Sequence, residues 1–280
     1  MKRAGVLGFP LGQSLSPAIH HFWAAREGAA VSYDAIATPP GYESFAATAD
    51  RLAREGYAGV NITIPHKENA LRYALARGTA SEKARRAGAA NMLTLGAAPY
   101  ADNSDIEGFS AALREILTEA DRRGRAVLLG AGGAARGVVL ALKELGFADI
   151  LVANRTRARA EALRRDLDVG AVDWGAREAA LSAADLLVNA TSLGMTGEPP
   201  LEIGLDRLPE SAIVSDIVYK PLTTPLLAAA RARGLRTVDG LSMLMHQAVP
   251  AYRAWLGRDA AVDGALRAAL ERLLAGASAR

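Results

Sequence analysis

A strand-tip lysine with a downstream aspartate, a glycine-rich turn and an arginine cluster are the parts of this 280-residue chain best suited to chemistry. In the stretch GVNITIPHKE (59–68), Val60, Ile62 and Ile64 alternate with Asn61 and Thr63, the period-two pattern of a half-buried strand. Pro65 cannot donate to a sheet ladder and ends it, and Lys67 stands at the tip. Of 33 basic residues only five are lysines (2, 67, 83, 143 and 220), the other 28 being arginines. An ammonium gives up its proton in a tuned environment, whereas a guanidinium does not. Ser14, Ser16, Asn61, Thr63, Asn91 and Asp105 join Lys67 at the ends of expected elements. Ligands of open α/β sheets sit beyond the carboxyl ends of strands, and hydroxyls and amides gathered there suit a small polyhydroxylated acid. Each residue also has a purely structural use. Ser16 can cap a helix that opens with Pro17, Asp102 or Asp105 can cap the next, and Lys67 can be solvated.

Gly130, Ala131, Gly132, Gly133, Ala134 and Ala135 fit the pattern G-x-G-x-x-G/A, preceded by an apolar strand and followed by an apolar helix. Glycine at such a turn lets a pyrophosphate approach backbone N–H groups at a positively polarised helix start. About twenty residues on, an NAD site places an acid for the ribose hydroxyls. Here Asn154, Arg155 and Thr156 stand there, with Arg157 and Arg159 beside them. A fixed cation suits a 2′-phosphate that a carboxylate would repel, so the expected cofactor is NADP.

Other chemistry is excluded or unsupported. The chain has no cysteine, hence no disulfide, thiolate metal ligand or cysteine nucleophile. It has no HExxH, no G-x-S-x-G and no paired metal-ligand spacing, and no metal is expected. His20 and His21 read as surface or packing residues. Net charge is +3 with acids interspersed among the arginines, so nucleic acid is not an expected partner. The most apolar run, 127–145, is broken by glycines, Arg136 and Lys143, so no membrane span is expected. Gly5, Gly8, Pro10 and Gly12 break any signal-like core at the start, and the expected location is the cytoplasm.

The elements that must position these residues alternate strand and helix through the first hundred residues, an α/β pattern with a mostly parallel sheet. A helix is expected over 105–124, followed by a βαβ unit over 125–156 and further short buried strands at 184–194, 212–219 and 236–240. Two helices close the chain. The expected organisation is a substrate-binding and catalytic domain over 1–105, a Rossmann-type dinucleotide domain over 106–240, and residues 241–280 packing back on the first domain.

Nine motifs in order then resemble the shikimate/quinate dehydrogenase family: SLSP, GVNITIPHK, GAAN, DNSD, GAGGAAR, NRT, NATSLGM, DIVYKP with TPLL, and GLSMLMHQA. The resemblance implies reversible NADPH-dependent reduction of 3-dehydroshikimate to shikimate, in a monomer or homodimer. It implies that Lys67 and Asp105 form the catalytic pair and that Ser14 and Ser16 hold the substrate carboxylate. Asn61, Thr63 and Asn91 would bind ring hydroxyls, with Tyr219 and Gln247 completing the pocket. Gly130, Ala131, Gly132, Gly133 and Ala134 would cradle pyrophosphate, and Asn154, Arg155, Thr156 and Arg159 would surround the 2′-phosphate. Thr191, Ile217, Gly240 and Met243 would lie along the nicotinamide end. Three positions depart from the family pattern: Ser104 stands where threonine is usual, Met92 where threonine is frequent, and His21 where an amide is common. Met92 leaves open how the substrate is preferred. A quinate/shikimate dehydrogenase of broader range and a non-catalytic NADP-responsive protein are the alternatives.

Overall fold

The computed structural model describes residues 1–11, 14–121 and 123–278, which divide into two compact units. The first comprises Met1–Asp105 with Gln247–Leu273. Its elements are β1 (Lys2–Gly8), α1 (Ser16–Arg26), β2 (Val31–Ala37), α2 (Tyr42–Arg54), β3 (Tyr57–Ile62), α3 (Lys67–Arg77), β4 (Thr79–Ala80), α4 (Glu82–Ala87), β5 (Met92–Thr94) and β6 (Tyr100–Asp102). They form a sheet of order β2-β1-β3-β5-β6-β4. Strands β2, β1 and β3 are parallel, and β5 runs antiparallel to both β3 and β6. This reversal brings the start of β5 and the end of β6 to the edge where β1 and β3 finish, with Asn61 opposite Met92 and Met92 opposite Asp102.

The second unit comprises Ile106–His246 and residues 274–278. Helix α5 (Asp105–Arg114) leads into it, followed by β7 (Arg125–Leu129), α6 (Gly133–Glu144), β8 (Asp149–Ala153), α7 (Arg157–Leu167), β9 (Gly170–Val172), β10 (Leu186–Asn189), β11 (Ile213–Asp216), α8 (Pro225–Ala232) and β12 (Arg236–Val238). Helices α9 (Gly240–Leu256) and α10 (Gly264–Ser278) close the chain. The second sheet is wholly parallel, in the order β12-β11-β10-β7-β8-β9. Strand order reverses between β7 and β10, the switch point at which doubly wound sheets open a crevice. Val127, Leu128, Leu129, Leu187 and Val188 are fully buried, as central parallel strands covered on both faces require. Residues 241–246 and 274–278 cluster with this unit, so the return to the first unit spans a shorter segment than 241–280.

Several local expectations give way to tertiary structure. Strand β3 is buried on both faces rather than half-buried: Asn61, on the polar face, is as enclosed as Val60 and Ile62. Ile64 continues the alternation in sequence but lies past the strand end and is 66% exposed. Ser16 is not a helix cap. It is the first residue of α1 after the cap position Leu15, and its own N–H donates weakly to Ser14 Oγ at 3.4 Å. The helix expected over 105–124 stops at Arg114, because Asp121 Oδ2 accepts from Thr118 N and Oγ1 at 2.7 and 2.9 Å. Such a bond offers the backbone a turn in place of the helix. Arg122, inside that expected helix, lies outside the described residues. Among the described residues, no helix is long and apolar enough to cross a membrane.

His20 packs in the core of the first unit. Its ring stacks on Tyr33 with centroids 3.9 Å apart and planes 11° apart, and neither ring nitrogen has a hydrogen-bond partner. Burial, with a smaller contribution from the His21 charge, holds its pKa down from 6.5 to about 3. The unfolded chain therefore takes up a proton below about pH 6.5 that the folded chain refuses, and stability falls as pH drops through that value. The loss amounts to about 2 kcal/mol near pH 5. Replacing His20 with Phe, which keeps a stacking ring, is expected to remove about that much of the difference between urea unfolding free energies at about pH 7 and about pH 5. An unchanged pH dependence would show that other groups set it.

Candidate active site

In the first unit the chemistry-bearing side chains collect along the sheet edge where β1, β3 and β6 end and β5 begins. Asn61, one residue before the end of β3, is buried; its Oδ1 accepts from the Tyr33 hydroxyl at 2.6 Å and its Nδ2 donates to the Asn91 carbonyl at 3.3 Å. Burial raises the Tyr33 pKa well above its ordinary value, which keeps the phenol protonated as a donor. Asn91 precedes β5. Its Oδ1 accepts from Ser104 N at 2.7 Å, and its Nδ2 donates to Asp105 Oδ1 at 2.8 Å while lying 3.2 Å from Gln247 Oε1. The Ser104 hydroxyl donates to the Gln247 carbonyl at 2.8 Å.

Asp105 is the first residue of α5, where the helix dipole favours a negative charge. Its Oδ2 accepts from Lys67 Nζ at 2.5 Å, with the two side chains 6% and 14% exposed respectively. Lys67 opens α3, and its carbonyl accepts from Ala90 N at 2.9 Å, tying the helix start to the segment that carries Asn91. Between β3 and α3, Thr63 N donates to the Leu7 carbonyl of β1 and the Thr63 carbonyl accepts from His66 N. His66 is fully buried; Nε2 donates to the Thr38 carbonyl at 2.9 Å, which leaves Nδ1 to accept from Asn69 Nδ2 at 3.1 Å. It holds the turn that delivers Lys67. Ser14 and Ser16 follow β1, and among the described residues the hydroxyls of Ser16 and Thr63 have no hydrogen-bond partner. The edge thus offers unused hydroxyls beside a lysine whose ammonium bonds, among the described residues, to Asp105 alone.

In the second unit Gly130 has φ +109°, and a Cβ there would stand 2.8 Å from the Ala190 carbonyl oxygen. Only glycine fits. Gly132 is the cap position of α6 and has no side-chain cap, so the first N–H groups of that helix are open to an anion, with Gly133 and Ala134 in its first turn. Beyond β8, Asn154 Nδ2 donates to the Thr156 carbonyl at 2.9 Å, and Thr156 is the cap position of α7. Arg157 is engaged by Glu161 at 2.8 Å and by Asp173. Arg155 and Arg159 are exposed, and their side chains have no partner among the described residues. This turn and these two cations fit a phosphorylated dinucleotide.

Thr191 follows β10, where its N–H and hydroxyl both donate to Asn189 Oδ1, at 3.1 and 2.7 Å. Ile217 follows β11 and donates its N–H to the Asn189 carbonyl at 3.0 Å. Gly240, at the start of α9, packs on this segment so closely that a Cβ would stand 2.2 Å from the Ile217 carbonyl oxygen. Met243 is buried one turn further along α9, and Tyr219 is half-buried in the loop after β11. Asp216 ends β11; burial pushes its carboxyl up to about 6, against bonds from Thr224, Val218 and Asn189 that pull it down.

Residues 6–93 match the family described as "Shikimate dehydrogenase substrate binding domain", and residues 113–196 match "Shikimate / quinate 5-dehydrogenase". The shikimate dehydrogenase (NADP(+)) of Rhodopseudomonas palustris strain TIE-1 is 50% identical over 279 residues, covering 98% of each chain. The chain belongs to the shikimate dehydrogenase family. Among solved structures of the family, the Thermus thermophilus shikimate 5-dehydrogenase in complex with NADP(H) and shikimate is similar at 36% identity and a TM-score of 0.85, covering 98% of this chain and 100% of that one. The quinate dehydrogenase of Corynebacterium glutamicum in complex with NAD gives 32% identity and a TM-score of 0.86, covering 96% and 98%.

Of the residues singled out from sequence in this family member, Lys67, Asp105, Asn61, Asn91 and Gln247 are joined by one hydrogen-bonded network. Ser14, Ser16 and Thr63 share the same sheet edge without direct bonds to that network. Tyr33, which fixes the Asn61 amide, was missed, since a tyrosine in a strand reads only as core. The buried Asn189–Asp216 pair was missed as well, although each residue sits inside a motif already noticed.

Proposed function

We propose that this chain catalyses the reversible NADPH-dependent reduction of 3-dehydroshikimate to shikimate, with Lys67 and Asp105 as the catalytic pair. It is an oxidoreductase acting on a CH–OH group, with NADP as its cofactor. The observation that carries the residue assignment is the Lys67–Asp105 hydrogen bond of 2.5 Å, nearly closed to solvent and flanked by two oriented amides. The hydride that reduces the ketone carbon is supplied by NADPH when bound, through a cofactor site of Gly130–Ala134 and the unpaired Arg155 and Arg159.

Negative charge grows on the ketone oxygen as reduction proceeds, and Lys67 Nζ stabilises it and delivers a proton to it. Asp105 Oδ2 holds the ammonium at a fixed angle, while Asn91 Nδ2 fixes the other carboxylate oxygen, so the lysine cannot swing away with its partner. Asn61, with Oδ1 engaged by Tyr33 and one amide hydrogen on the Asn91 carbonyl, keeps its other amide hydrogen for a ring hydroxyl beside the open Thr63 hydroxyl, and Asn91 reaches a ring hydroxyl when substrate takes the place of Gln247 Oε1 on its amide. Ser14 and Ser16, at the start of α1, receive the substrate carboxylate, which a helix N-terminus also favours. Tyr219 and Gln247 complete substrate binding, and Thr191, Ile217, Gly240 and Met243 line the nicotinamide end. Asn154 and Thr156 shape the turn that carries Arg155.

The assignment is tested by following NADPH absorbance with shikimate and quinate, each against NADP and NAD. Shikimate with NADP is expected to give the highest kcat/KM; quinate turnover as efficient as shikimate turnover would replace the assignment. Lys67→Met is expected to lower kcat by about 10²–10⁴-fold with substrate binding largely kept. A near-normal kcat would remove Lys67 from the chemistry. Arg155→Ala is expected to raise KM for NADP by about tenfold while leaving KM for NAD nearly unchanged, as loss of a charge-assisted bond to a 2′-phosphate requires. Equal effects on the two cofactors would count against that contact.

A further inference from the structure

Asn189 and Asp216 are the last residues of β10 and β11, adjacent parallel strands in which they stand directly opposite each other. Both are buried, at 0% and 1% exposure. The Asn189 amide spends its full bonding capacity. Nδ2 donates to the Leu193 carbonyl at 3.1 Å and to Asp216 Oδ1 at 3.0 Å, while Oδ1 accepts from the N–H and hydroxyl of Thr191. Asp216 Oδ1 also accepts from Val218 N at 3.0 Å, and Oδ2 accepts from the Thr224 hydroxyl at 2.7 Å. Thr224 in turn caps α8 by accepting from Leu227 N.

The donors around this carboxylate are a neutral amide, a backbone N–H and a hydroxyl. Burying a carboxylate among neutral donors is an expensive way to join two strands, because apolar or neutral polar side chains would do so without desolvating a charge. What the arrangement secures is the backbone on either side. It fixes the segment after β10, which carries Thr191, and the segment after β11, which carries Ile217 and Tyr219. Gly240 closes the same segment from its other side, with no room for a Cβ against the Ile217 carbonyl. The Ile217–Val218 backbone is therefore held between a carboxylate and a helix start, with little freedom to shift.

We propose that Asp216 is a positioning residue for the nicotinamide half of the cofactor, setting through Asn189 and Val218 the places of Thr191 and Ile217. The inference rests on the cofactor reading given under Proposed function and extends it to a residue that touches neither ligand. The adenosine half is held elsewhere in that reading, by the turn at 130–134 and by Arg155 and Arg159. Loss of Asp216 therefore acts on one half of the cofactor alone.

The test compares the full-length chain with Asp216→Ala and Asp216→Asn, measuring affinity for NADPH and for 2′-phospho-ADP-ribose, which lacks nicotinamide, together with kcat. Asp216→Ala is expected to weaken NADPH binding by about tenfold, while 2′-phospho-ADP-ribose stays within about twofold. Displacement of the reacting ring lowers kcat by a further factor of about 10–100. Asp216→Asn is expected to recover both to within about threefold, since its carbonyl can face Asn189 and Val218 while its amide donates to Thr224. Equal weakening of both ligands, unchanged kinetics in the Ala variant, or an Asn variant as impaired as Ala would overturn the proposal. If the Ala variant does not fold, Thr224→Val, which removes the hydroxyl that donates to Asp216 together with its cap on α8, must show the same split at about two- to fivefold, and no split overturns it. A natural chain that binds neither ligand would fell the cofactor reading itself, and this inference with it.

Discussion

The amide of Asn91 is the joint on which the polar edge of the first unit depends. It is buried, so each of its polar atoms must find a partner, and its orientation is dictated by the Ser104 N–H on one side and the Asp105 carboxylate on the other. That orientation settles which face of Asp105 is left for Lys67. It also draws Gln247, more than 140 residues away in sequence, into the same network through Ser104 and Asn91. A half-satisfied network of this kind would be worse than none, because low surrounding polarity magnifies every missing bond. The chain therefore holds a charged pair nearly out of water without a loose polar group between its members.

The second unit solves a similar problem with different parts. At the switch point of its parallel sheet the backbone must both turn and stay in register. Gly130 turns the chain after β7 through a conformation closed to other residues, and Gly240 lets a helix start rest against bare backbone. Asn189 and Asp216 then add a side-chain lock to the backbone bonds that join the neighbouring strand ends. Close approach and polar satisfaction share the work, and neither is visible in a hydrophobic pattern.

The α/β alternation, the strand–turn–helix at 125–144 and the arginines after β8 were legible in the sequence, because each follows from local periodicity or a fixed glycine spacing. Lys67 and Asp105 were legible as candidates, and their pairing followed from the family resemblance but not from periodicity or spacing. It depends on β5 and β6 turning antiparallel, and each of those strands is three residues long, too short for a period to register. The alternation of β3 misled at both ends of its meaning. Its polar face is buried because Tyr33 and Asn91 satisfy Asn61, and its last apolar residue, Ile64, falls beyond the ladder. The early end of α5 came from Asp121 capturing Thr118, a competition between side chain and helix that propensity alone does not decide.

The three arginines after β8 divide in a way that bears on how such a chain can change over time. Arg157 is bound to Glu161 and Asp173 and belongs to the framework of α7, whereas the side chains of Arg155 and Arg159 have no partner among the described residues. Exposed side chains without partners can be exchanged with little effect on stability. Nothing comparable holds for Lys67 or Asp105, each tied into a buried network whose members must change together. On the proposed roles, the chain separates an evolvable contact from a frozen one: two exposed cations can change by single steps that leave the fold intact, while the buried lysine–aspartate pair is inherited whole.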